Sequence, residues 1–107
     1  MIVVVFRSRL DPDCPAGEFE KLSGEMYELC SDLPGFVSKR SYTAEDGERL
    51  TLVEFESEEN LEAWRHHPDH NAAQVKGRER YYTEYSTQVC KELRRSDFRR
   101  PATKSAR

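Results

Sequence analysis

The chain has 107 residues, of which 36% are hydrophobic and 35% charged, enough for one domain with a single modest core and too little for two. Its longest apolar run, Ile2-Val3-Val4-Val5-Phe6, is far shorter than the ~18 residues of a membrane-spanning helix. Arg7 and Arg9 follow it where a signal peptide would place small residues, so a cytoplasmic protein with no membrane partner is expected. The net charge of −3 hides an asymmetry: residues 1–90 hold 10 of the 17 basic and 18 of the 20 acidic side chains. Such an acidic body repels phosphate backbones and argues against a nucleic-acid partner.

Met1 to Leu10, rich in β-branched residues and free of turn formers, predicts a strand. Asp11-Pro12-Asp13-Cys14-Pro15 punctuates it, and Pro15 suits the first turn of a helix. Phe19, Leu22, Met26, Leu29, Cys30 and Leu33 then fall on one helical face opposite Glu18, Glu20, Lys21, Glu25 and Glu28, an amphipathic helix that Pro34-Gly35 ends. Phe36 to Thr43 and Arg49 to Glu56 read as two strands, and the Asp46-Gly47 pair between them predicts an antiparallel hairpin. Ser57 supplies an N-cap for a helix carrying Leu61 and Trp64 inward. Pro68 interrupts that helix and starts a second segment, which Gly77 is expected to stop. Arg80 to about Leu93 is a last, Tyr-rich strand.

The order β-α-β-β-α-β predicts an α+β, ferredoxin-like subunit over residues 1–95: a four-stranded antiparallel sheet with its helices on one face. Residues 96–107 are expected to be a basic, flexible tail. Both phases of the strands carry large apolar side chains. Ile2, Val4 and Phe6 alternate with Val3 and Val5; Leu50 and Leu52 alternate with Val53 and Phe55; Tyr81, Tyr85 and Val89 are set against Tyr82 and Cys90. A helix-free face of this kind calls for a cover, and a homodimer through that sheet face is the expectation. Cys14, Cys30 and Cys90, odd in number and widely spaced, read as free thiols rather than a disulfide or zinc framework.

The residues with chemical potential cluster at Trp64-Arg65-His66-His67-Pro68-Asp69-His70, which holds the only tryptophan and all three histidines. His66 and His70, or His67 and His70, have a helical metal-ligand spacing. Pro68 breaks that register and no cysteine lies near, so no metal site is expected. His66 reads as a surface residue and His67 as a cap at the helix break. His70, about two turns from Trp64 and roughly 9 Å away at ~1.5 Å per residue, is the candidate general base beside an indole-lined cavity. No phosphate-binding glycine loop and no nucleophile elbow is present.

The run Phe55 to His70 (FESEENLEAWRHHPDH), followed by Gln74, Gly77-Arg78 and Tyr82-Thr83-Glu84-Tyr85, resembles the antibiotic biosynthesis monooxygenase family. The resemblance implies a dimeric α+β barrel built from ferredoxin-like subunits, each with a pocket between sheet and helices. It further implies a monooxygenase acting on an aromatic or quinone-like small molecule with O2 and no bound cofactor or metal. Trp64 would then line the pocket and His70 would serve as base or hydrogen-bond donor, with Arg65 and Tyr85 as candidates for anion stabilisation. The alternative within the same family is a non-catalytic small-molecule-binding or stress-related barrel. Haem-degrading members use a first-strand Asn, a Trp and a His late in the second helix; only Trp64 has a counterpart here.

Overall fold

The computed structural model describes residues 1–102; residues 103–107, the end of the expected basic tail, lie outside the described residues. In chain order the elements are β1 (Ile2–Leu10), α1 (Ala16–Ser31), β2 (Phe36–Thr43), β3 (Arg49–Phe55), α2 (Glu58–Arg65), α3 (Pro68–Lys76), a π-helical turn (Gly77–Tyr81) and β4 (Tyr82–Lys91). The strands form one antiparallel sheet in the order β2-β3-β1-β4, the ferredoxin-like α+β arrangement. Residues 92–102 carry no regular secondary structure. Among the described residues no helix is long and apolar enough to cross a membrane.

Local chemistry sets the boundaries. Pro15 stands at the N-cap of α1, one residue before the predicted first turn. Gly35 closes the connection to β2 at φ +81, where a Cβ would also strike the Asn60 side chain. The β2–β3 hairpin turns at Gly47 (φ +91), with the Glu48 N–H donating to Asp46 Oδ1 at 3.1 Å. Arg9 donates to Asp46 Oδ2 at 2.8 Å and ties that turn back to the sheet. Ser57 caps α2, its Oγ accepting from the Asn60 N–H at 3.2 Å.

Two sequence expectations fail in the last third of the chain. Gly77 does not stop α3; it is helical (φ −59) and begins the π-helical turn. Its missing side chain serves packing instead, since a Cβ there would lie 2.8 Å from Cε2 of Tyr82. Simple alternation also misplaces Tyr82. The β1–β4 register shifts between Arg9 and Leu10, and this brings Tyr82 to the same side as Tyr85, the two rings 5.7 Å apart. Tyr81 precedes β4 and is buried; its hydroxyl donates to Glu18 Oε2 at 2.6 Å, and its carbonyl accepts from the Asp11 N–H. Burial, helped by that carboxylate, pushes the Tyr81 phenol up to about 12.

The core sits at one end of the helix-facing side of the sheet. Ile2, Val53 and Phe55 meet Cys30 from α1 and Leu61 from α2, with Phe36 and Trp64 packed against them. Cys30 behaves as a buried hydrophobe, its thiol pushed up to about 11 by desolvation. Val3, Val5, Leu50 and Leu52 lie in the opposite phase and point away from the helices. Phe55 is 0% exposed. Its replacement by alanine is expected to cost ~3–5 kcal/mol, read as a fall in the urea midpoint at unchanged slope.

Candidate functional site

Away from that core the helix-facing side of the sheet opens into a cavity of about 630 Å³, within the ~300–1,000 Å³ usual for small-molecule sites. Its floor is the inward phase of the sheet: Val4 and Phe6 of β1, Thr51 of β3, and Tyr85, Thr87 and Val89 of β4. Leu22 and Met26 of α1 form one wall, and Trp64 and His70 of the α2–α3 pair form another. Val89 is 53% exposed, so the cavity is open along the β4 edge.

The break between α2 and α3 makes the Trp64–His70 arrangement. Pro68 has no N–H, so the Trp64 carbonyl four residues earlier has no helical partner. Two donors take its place: the His67 N–H at 3.1 Å and His70 Nδ1, also at 3.1 Å. His67 caps the new helix, its Nδ1 accepting from the Asp69 N–H. The chain therefore folds back, and the His70 ring stacks on the Trp64 indole with centroids 4.0 Å apart and planes 19° from parallel. The roughly 9 Å expected from an uninterrupted rise is thereby corrected.

A carbonyl oxygen only accepts, so His70 Nδ1 carries the proton and Nε2 holds the lone pair. Burial pushes the His70 imidazole below its ordinary 6.5; the Trp64 carbonyl works against this, and the Lys39 and His67 charges work with it. No buried side-chain nitrogen or oxygen among the described residues lacks a partner, so Nε2, which has none, keeps some solvent contact, and His70 itself lines the cavity. The site thus presents a neutral imidazole with an available basic nitrogen against an aromatic wall.

The other predicted residues also line the cavity, with different company. Arg65 is at the rim, paired with Glu62 at 2.8 Å. Tyr85 packs on Phe6, and its hydroxyl accepts from Arg78 at 3.1 Å. His66 is exposed and bonded to Glu62, as expected of a surface histidine. Among the described residues no three His, Cys, Asp or Glu side chains gather where they could hold a metal ion. Sequence reasoning overlooked Lys39 and Arg49, both on the cavity lining. Their signal was present: Lys39 and Ser41 of β2, and Arg49 and Thr51 of β3, share the inward phase with Val53 and Phe55, so the β2–β3 half of the sheet's inner face carries polar and cationic groups.

His70 also leaves a stability signature. The unfolded chain binds a proton at His70 as pH falls through about 6.5, while the folded chain resists until lower pH. Its contribution is therefore intact above that pH and is lost on acidification below it. Urea unfolding from about pH 7.5 to 5 is expected to show a steeper loss of stability in the wild type than in His70→Gln; parallel profiles contradict the assignment.

Comparison with known proteins places this geometry. Residues 1–76 match the family described as antibiotic biosynthesis monooxygenase. The Bacillus subtilis protein YqjZ is 38% identical over 66 residues, 62% of this chain and 58% of YqjZ, so the match spans less than two thirds of that relative. Among solved structures, Rv0793 from Mycobacterium tuberculosis superposes with a TM-score of 0.77 at 20% identity, covering 90% of this chain and 98% of its own. SnoaB, a cofactor-independent oxygenase from Streptomyces nogalater, gives a TM-score of 0.72 at 14% identity over 88% and 94% of the two chains. At such identities these two likenesses are of fold. With the family match covering most of its length, the chain belongs to the antibiotic biosynthesis monooxygenase family.

Proposed function

We propose that the protein is a small homodimeric monooxygenase that oxidises an aromatic or quinol-type compound with O2 in this cavity, using no bound cofactor. The observation that carries the reading is the Trp64–His70 stack: an imidazole held neutral, with Nε2 available, on an indole wall beside an apolar floor. In this reading His70 removes a proton from an activated ring CH2. The carbanion gives its electrons to O2, and a C–O bond forms. Loss of the second hydrogen as a proton, with O–O cleavage, leaves a carbonyl on the ring and releases water. All the electrons that O2 needs come from the substrate carbon. Trp64, which lines the cavity, positions the ring. Tyr85, with Arg78 behind it, and Arg65 at the rim are anion-stabilising candidates.

The dimer is supported by the outer sheet face, where Val3, Val5, Leu50 and Leu52 lie together with no helix over them. Two copies packed on that face about a two-fold axis would cover it. The three free cysteines suit a reducing cytoplasm.

Oxygen uptake with anthrone- or quinol-type compounds tests the chemistry. The double replacement Trp64→Ala plus His70→Ala is expected to reduce the rate about 100-fold or more. Uptake that persists unchanged removes the enzyme reading, and binding without uptake by the wild type favours the non-catalytic alternative. Sedimentation tests the assembly: a dimer is expected, and a species near 12.5 kDa contradicts it.

A further inference from the structure

Lys39 and Arg49 take no part in the chemistry above, yet both stand on the cavity lining. In register, Lys39 lies opposite Val53, and Arg49 lies opposite Thr43 and Ser8. Between them on the same side is the Ser41–Thr51 pair, hydroxyl to hydroxyl at 2.9 Å. Lys39 Nζ is 5.5 Å from the centroid of the Tyr27 ring, and the Arg49 guanidinium is 5.4 Å from that of Phe19. Aromatic faces thus attend both cations.

Carboxylates do not. Of the three cations on the cavity lining, Arg65 reaches an acidic side chain, whereas Lys39 and Arg49 have no ion-pair partner among the described residues. The charged and titratable groups that act on Lys39 are Cys30 and Arg49, and burial holds its ammonium below the usual lysine range. The cavity-lining acids, Glu58 and Glu62, are on α2, and Glu62 is already shared by Arg65 and His66. Two cations thus share one inner surface with no carboxylate at ion-pair distance among the described residues, an arrangement whose burial cost an anionic ligand would offset. The Lys39 charge also acts on His70, so this basic floor and the Trp64–His70 wall share one compartment.

We propose that Lys39 and Arg49, flanking the Ser41–Thr51 pair, form the anion-binding side of the cavity, and that its ligand is a planar aromatic compound carrying an acidic oxygen group, the ring toward Trp64 and the anion on the β2–β3 floor. The inference rests on the reading of this cavity as a ligand site, not on the oxygen chemistry. Lysine and arginine there would hold a carboxylate or phenolate by charge-assisted hydrogen bonds. They would also favour any negative charge that spreads into the ring beside His70.

Trp64, the only tryptophan, reports binding by its fluorescence. The probes are 2-naphthoate and its uncharged near-isostere 2-naphthamide, titrated into the full chain at neutral pH. The expected result is naphthoate binding about tenfold tighter than the amide, as one charge-assisted contact warrants. The preference should shrink as salt is added. It should vanish in Lys39→Met plus Arg49→Met and persist in Lys39→Arg, with circular dichroism confirming that each variant is folded. Equal affinity for acid and amide in the wild type overturns the proposal without touching the cavity reading, as does a preference that survives in the folded double variant. Failure of the wild type to bind either probe overturns both.

Discussion

Pro68 has no amide proton, and the carbonyl it would have served in an unbroken helix is that of Trp64. From this one missing hydrogen follows the geometry of the site. The orphan carbonyl collects the His67 N–H and His70 Nδ1, the chain doubles back, and an imidazole is laid flat on an indole. The same bond assigns the tautomer, because Nδ1 must donate and Nε2 is left as the base. A continuous helix would instead have satisfied Trp64 internally and carried His70 a further ~1.5 Å along the axis with each residue.

The sheet supplies the second condition. Its inner face carries an apolar region, where Ile2, Val53 and Phe55 receive Cys30 and Leu61, and beside it a polar region on β2 and β3, where Lys39, Ser41, Arg49 and Thr51 stand. Packing in the first region holds the helices against the sheet. The polar groups share the cavity lining with Val4, Phe6, Tyr85 and Val89. Trp64 bridges the two regimes, packed against the core cluster on one side and lining the cavity on the other.

Charge is distributed to match. Three arginines of the folded body are paired locally: Arg9 with Asp46 and Glu84, Arg65 with Glu62, Arg80 with Glu18. The Arg9 and Arg80 pairs pin the hairpin turn and the π-helical turn, where the backbone departs from regular structure, while the Arg65 pair lies within α2. His70 stays neutral through burial, with the Lys39 and His67 charges also opposing its protonation.

Local rules were enough for much of this molecule. The alternation of β1, the Asp46-Gly47 turn, the Ser57 cap and the break at Pro68 each depend on a few neighbouring residues, and each is legible in the chain. The strand and helix order followed, and with it the ferredoxin-like sheet, because short connections between such elements leave few ways to pair. The cluster from Trp64 to His70 could be singled out for its residue types, and His67 as a cap from its place before Pro68. What the chain alone did not disclose depends on contacts between distant segments. Gly77 was misread because its reason for being glycine is the Tyr82 ring, not a helix end. Tyr82 was assigned to the wrong phase because the register shift that turns it inward arises in its pairing with β1. Lys39 and Arg49 look like ordinary strand cations until the sheet is assembled, since only the facing of four strands and three helices decides which polar groups share a cavity and which reach water.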